Sequence, residues 1–179
     1  MKAMTYKLRN FFFAMGACLA LSSCSTDVQE YQQTEPSFDL FGYFEGDTYA
    51  WGMVQDYSDR LTRRFTVEID GQVNGDTLVL VEDFIFADGD EKQRIWTIER
   101  KGNNTYRGKA DDIVGYADGE EHGNVVHWVY DFELEVDGEQ IEVEFDDWLY
   151  RHDEKRVFNI TKIKKFGVEV GRVTLFFTK

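Results

Sequence analysis

From Tyr49 to the C-terminus, apolar and polar side chains take turns with a period of two. The pattern is clearest at Val126, Trp128, Tyr130, Phe132, Leu134 and Val136, with His127, Asp131, Glu133 and Glu135 between them. Successive side chains on a strand point to opposite faces, so this spacing predicts a strand with one dry face. Asp137-Gly138 supplies a hairpin signal, and the next run alternates again, setting Ile141, Val143, Phe145 and Leu149 against Glu142, Glu144 and Asp146. Comparable runs occupy Tyr49 to Tyr57, Arg63 to Asp70, Thr77 to Phe86, Gln93 to Arg100, Thr105 to Val114, Arg156 to Lys162 and Val168 to Thr178. Turn pairs separate many of them: Asp70-Gly71, Asn74-Gly75, Asp88-Gly89, Gly102-Asn103 and Asp118-Gly119. In the last run the apolar parity changes between Val170 and Val173, which predicts a bulge at Gly171. The expectation is an all-β domain, an antiparallel up-and-down barrel of about eight to ten strands with a sandwich as the alternative, because so many strands in one sheet curl and close to remove their edges.

The N-terminus has a different pattern. Basic Lys2, Lys7 and Arg9 precede an apolar run from Phe11 to Leu21, which is followed by small residues. This is the layout of an export signal, and a run of about 11 residues is roughly half the length needed to span a bilayer. Leu21-Ser22-Ser23-Cys24 resembles the bacterial lipobox, in which the cysteine thiolate is the nucleophile that takes up diacylglycerol. Residues 1–23 are thus expected to be a lipoprotein signal peptide, and residues 24–36 a lipidated Cys24 with a flexible tether ending at Pro36. Residues 37–179 are then a single β-barrel domain. Two or three acyl chains on Cys24 hold a protein on a membrane where one does not. In the lipoproteins this resembles, a residue other than Asp after the cysteine, here Ser25, implies the outer membrane, facing the periplasm.

Charge and cysteines narrow the chemistry. The formal net charge of -14 becomes more negative once Lys2, Lys7 and Arg9 leave with the signal, so nucleic acid and anionic head groups are poor electrostatic partners. Cys18 leaves too, and with Cys24 acylated the barrel has no disulfide, thiolate metal site or thiol nucleophile. His122, His127 and His152 show no close spacing to carboxylates of the kind a metal site uses, and no nucleophile-elbow or phosphate-loop glycine pattern is present. No metal or cofactor is expected, and nothing in the chain argues for an enzyme.

Phe38-Asp39-Leu40-Phe41-Gly42-Tyr43-Phe44-Glu45-Gly46 leading into Trp51-Gly52, with Lys165-Phe166-Gly167 and the stretch Gly171 to Phe177, resembles a bacterial lipoprotein family known as domain of unknown function 3833. The resemblance covers the whole mature domain, and implies an envelope location but no activity. At a distance the chain also looks lipocalin-like. That likeness implies a short N-terminal segment closing one barrel end, a tryptophan on the first strand, here Trp51, and a basic residue near it on the last, here Arg172. The glycine usual two positions before that tryptophan is Tyr49 in this chain.

Candidate ligand-binding residues come from parity. Asp147 shares the face of Ile141, Val143, Phe145 and Leu149 and so points inward, opposite Tyr130 or Trp128 across the hairpin. It is either a polar group at the base of a cavity or a structural carboxylate bonded to Tyr130 or Arg151. Arg94, Trp96, Ile98 and Arg100 form a second mixed face, able to clamp an acidic head group beside an apolar tail or to pair with the many acids. The candidates are therefore Asp147, Tyr130, Trp128, Arg94, Trp96 and Trp51. Aromatics make up 16% of the chain, and a small barrel either fills its interior with them or keeps a cavity among them. Gly108, Ala110, Gly115 and Ala117 favour room inside. The leading expectation is a lipoprotein that binds a lipid, fatty acid or other apolar small molecule. The alternatives are an envelope interaction protein with a solid core and a cofactor-free lipid-modifying enzyme using Asp147 with Tyr130.

Overall fold

The computed structural model describes residues 26–136 and 138–179. Ten antiparallel strands follow one another around a closed barrel: β1 (Gly46–Asp56), β2 (Leu61–Asn74), β3 (Thr77–Phe86), β4 (Glu91–Gly102), β5 (Thr105–Lys109), β6 (Ile113–His122), β7 (Val125–Val136), β8 (Glu139–Arg151), β9 (Arg156–Lys165) and β10 (Val168–Thr178). Each strand pairs with its neighbours in sequence, and β10 returns to pair with β1, Trp51 lying opposite Phe176. Closure leaves no edge strand among the described residues to attract another chain. The alternation is carried into the structure most plainly on β7, where Val126, Trp128 and Tyr130 are buried while Asp131, Glu133 and Glu135 are exposed.

Two of the five expected turn pairs lie inside strands. Asp70-Gly71 is in β2 and Asp118-Gly119 in β6, each continuing the ladder, Gly71 opposite Leu80 and Gly119 opposite Trp128. Glycine stands at these inward positions because the neighbouring space is taken. A Cβ at Gly71 would collide with the Phe44 carbonyl oxygen, and one at Gly119 would meet the Trp128 ring at 2.5 Å. The run Thr105 to Val114, expected as one strand, is broken between β5 and β6 by a tight turn in which Ile113 N donates to the Ala110 carbonyl at 3.2 Å. The bulge at Gly171 is present, the β9–β10 register slipping between Glu169 and Gly171.

One end of the barrel is stoppered by a short helix, α1 (Leu40–Phe44). Asp39 caps it, its carboxylate accepting from Gly42 N at 3.1 Å, and Leu40, Phe41, Tyr43 and Phe44 are all buried. Burying side chains of this size contributes roughly 1.5–3 kcal/mol each. Polar anchors fix the plug's rotation: Leu40 N donates to Glu121 at 3.0 Å, Tyr43 Oη to the Lys155 carbonyl at 3.0 Å, and Arg100 lies 4.3 Å above the Phe41 ring.

Cys24 and the signal region lie outside the described residues. Of the segment 24–36 expected as a flexible tether, residues 26–36 run along the barrel. A 3-10 turn at Val28–Tyr31 is capped by Asp27, and buried Val28 packs on the outer wall with Val125 and Trp148. Thr34 Oγ1 accepts from Asn124 N at 3.0 Å and lies 2.5 Å from Asn124 Oδ1 and 2.7 Å from the Tyr31 carbonyl, tying the segment to the β6–β7 turn.

Candidate functional site

Inside the barrel is a cavity of about 710 Å³ that extends from Leu40 and Phe44 on the plug to Arg63, Phe86 and Lys92 near the other end. Pockets for small organic ligands span roughly 300–1,000 Å³. Much of the wall is apolar: Phe65, Phe84, Phe132 and Leu175 towards the end away from the plug, and Leu80, Trp96, Trp128 and Phe177 nearer to it.

Between these two apolar zones lies a polar cluster drawn from β3, β4, β7, β8, β9 and the β5–β6 turn. It comprises Glu82, Arg94, Asp112, Tyr130, Asp147, Asn159 and Thr161. Glu82 stands directly across the β3–β4 pair from Arg94. The Arg94 guanidinium donates through Nε to Asp112 Oδ1 at 2.9 Å, and sits 4.5 Å from the Trp96 ring centre and 5.3 Å from that of Phe132. Its Nη2 is buried and has no hydrogen-bond partner among the described residues. A buried donor left unmet costs about 1–3 kcal/mol, more when charged, so this atom is a standing demand for an acceptor. Asp147 is served on two sides: Asn159 Nδ2 donates to Oδ1, and Thr161 Oγ1 donates to the same atom at 2.8 Å.

The electrostatics follow from that geometry. Burial pushes the Glu82 carboxyl up to about 7; Arg94 opposes the rise, and Asp112 and Asp147 add to it. Burial also raises Asp147, against the hydrogen bonds from Asn159 and Thr161 and the charge of Arg94. Burial raises Tyr130 well above the ordinary phenol value, with Asp147 adding to the shift. For Arg94 burial opposes the charge, but Tyr130, Glu82 and Asp112 outweigh it and hold its pKa raised. The cluster can therefore hydrogen-bond a polar group held at mid-depth, and Glu82 can exchange a proton near neutral pH.

Of the residues singled out from sequence, Asp147, Tyr130, Trp128, Arg94 and Trp96 all line this cavity. Asp147 lies opposite Trp128, and Arg151 is not its partner: that guanidinium donates instead to the Asp153 and Ser37 carbonyls, at 3.1 and 2.8 Å. Trp51 is a correction. It is 49% exposed on the outer wall, packed against Tyr49 and Phe176, because the inward positions of β1 belong to Thr48, Ala50, Gly52 and Val54. Arg172 is opposite Gln55 and pairs with Glu169 at 2.7 Å, so the tryptophan and arginine expected from the lipocalin likeness do not meet. Arg100 lies at the plug end of the Arg94 face, over Phe41 and 3.6 Å from Asp39, and does not line the cavity. His127 lies on the outer wall, stacked 3.9 Å from Trp148 and 2.8 Å from Asp146. Among the described residues no group of three or more His, Cys, Asp and Glu could hold a metal ion.

Sequence reasoning passed over Glu82, Asn159 and Thr161. Their signal was the one that found Asp147: Glu82 shares parity with Leu78, Leu80, Phe84 and Phe86, and Asn159 and Thr161 with Val157 and Ile163. The small residues Gly108, Ala110, Gly115 and Ala117 do not line the cavity. A Cβ at Gly108 would lie 2.8 Å from Trp96 and 3.5 Å from Trp128, so the indoles fill the space that glycine frees.

A family model described as "Protein of unknown function (DUF3833)" matches residues 18–179, nearly the whole chain. No curated protein matches the chain.

Proposed function

We propose that this chain, which belongs to the DUF3833 family, is a lipid-anchored envelope protein whose barrel binds an apolar or amphiphilic small molecule such as a lipid. The observation that carries the reading is the cavity of about 710 Å³, apolar above and below a single polar cluster that holds an unmet buried donor. A solid-cored interaction protein has no use for such a void, since each unfilled region of a core forfeits packing contacts.

The anchor belongs to the same proposal and rests on the Leu21-Ser22-Ser23-Cys24 sequence. Val28 is docked on the barrel wall, so the four residues after Cys24 allow a reach of only about 14 Å. The acyl chains would then hold the barrel close to the bilayer, on the outer membrane's periplasmic face. No helix among the described residues is long and apolar enough to cross a membrane.

Native mass spectrometry of the purified protein, with and without Leu175→Trp, tests the binding reading. A co-purifying lipid that the indole displaces supports it. A bare mass in both proteins, with no uptake of the neutral probe N-phenyl-1-naphthylamine, refutes it. Metabolic labelling with an alkyne fatty acid tests the anchor: label is expected on the native chain and lost in Cys24→Ser.

A further inference from the structure

We propose that the cavity takes an amphiphile with an uncharged, hydroxyl-bearing head group, such as a monoacylglycerol, in preference to the carboxylate of a free fatty acid. The inference rests on the reading of the barrel as an amphiphile-binding protein and concerns which head group that site accepts.

Arg94 defines the site. Its Nε is committed to Asp112, its faces lie near Trp96 and Phe132, and its buried Nη2 has no hydrogen-bond partner among the described residues. An arginine in an apolar cavity would ordinarily suggest an anionic ligand. The company it keeps argues the reverse. Glu82, Asp112 and Asp147 share the cluster with it, while the other cationic side chains of the wall, Arg63 and Lys92, lie near the end away from the plug. Arg63 is already paired with Asp88 and Asp90, at 3.3 and 2.8 Å. A carboxylate head would be a fourth acid set around one guanidinium, in a region where charges are weakly screened.

An ammonium head fails for a different reason. It offers Nη2 no acceptor and sets a second cation beside the first. A hydroxyl meets both demands without adding charge: its oxygen accepts from Arg94 Nη2 and its proton goes to Glu82 or Asp147. The acyl chain then lies among Phe84, Phe132 and Leu175.

The test is displacement of bound N-phenyl-1-naphthylamine from the purified protein at about pH 8, each competitor held below its micelle-forming concentration. 1-Monooleoylglycerol is expected to displace the probe at a concentration about tenfold lower than oleate, the factor set by the excess of negative charge around Arg94, and at a lower concentration than oleylamine, which gives Nη2 no acceptor. Oleate or oleylamine competing as well as the glycerol ester overturns the inference while leaving amphiphile binding intact. A probe that never enters the barrel overturns the binding reading itself, and the head-group preference with it. Glu82→Gln removes one of the acids, and the gap between oleate and monooleoylglycerol is expected to narrow by about threefold. An unchanged gap in that variant, with probe affinity retained, also overturns the inference.

Discussion

Replacing Glu82 by Gln is expected to change how the protein's stability depends on pH. The folded-state value of about 7 compares with 4.5 for the free side chain. Below about pH 4.5 both states hold the proton and burial of the carboxyl carries no charge penalty. As pH rises from there to about 7 the unfolded chain releases its proton while the folded chain keeps it, so stability falls; above that range the cost is constant. A gap of about 2.5 units at 1.36 kcal/mol each makes the full cost about 3 kcal/mol. Gln copies the protonated form at every pH and has no such fall. Urea unfolding of wild type and variant at a series of pH values from about 4 to 8 isolates this contribution, because the other carboxyls titrate in both proteins. The variant is expected to gain about 3 kcal/mol on wild type across that range, including the relief that Asp147 feels when its neighbour loses its charge. Stability curves that stay parallel from acid to alkaline pH would refute the reasoning, since they would mean that Glu82 is solvated rather than enclosed.

Three further outcomes follow from single contacts. Gly71→Ala forces a methyl into the Phe44 carbonyl and lifts the plug, so a loss of about 2–4 kcal/mol is expected in urea unfolding. Thr161→Val removes one of the donors to Asp147, with an expected loss of about 1–3 kcal/mol at neutral pH. That deficit is expected to shrink in acid, where a protonated Asp147 needs the donor less; equal losses at both pH values would count against a charged Asp147 in the folded protein. Trp51→Ala removes an outer-wall side chain and is expected to leave N-phenyl-1-naphthylamine affinity within about twofold of wild type, whereas an effect as large as that of Leu175→Trp would place the tryptophan at the ligand.

The architecture was legible because period-two alternation is enforced by burial, and a strand that slips by one residue exposes its whole dry face. Parity pointed Asp147 inward with Trp128 and Tyr130 on a dry face, and set Arg94 beside Trp96 on one face without saying which way it points; applied to β3 it also locates Glu82. It fails on β1, where the large apolar residues Tyr49, Trp51 and Met53 face outward and Ala50 and Gly52 inward. The reason is crowding by the next strand: a Cβ at Gly52 would strike the Phe65 ring. Inward Gly52, Gly108 and Gly119 thus mark places where an aromatic ring has already taken the room, as Gly71 marks the place taken by the Phe44 carbonyl.

The polar cluster was harder to foresee than its members, because it depends on register. Glu82 faces Arg94 only because the β3–β4 turn has its particular length, and Asp147 reaches Thr161 only through the β8–β9 pairing. The cavity depends on something coarser still. A barrel's diameter grows with the number of its strands, and about eight strands enclose an interior that side chains can just fill. Ten strands exceed that, so even Trp96, Trp128, Tyr130 and Phe145 leave a void of about 710 Å³ between them and the opposite wall. An expectation of eight to ten strands straddles the boundary between a filled barrel and a hollow one. The break at Ala110 to Asp112 turns one expected strand into two and brings Asp112 round to meet Arg94.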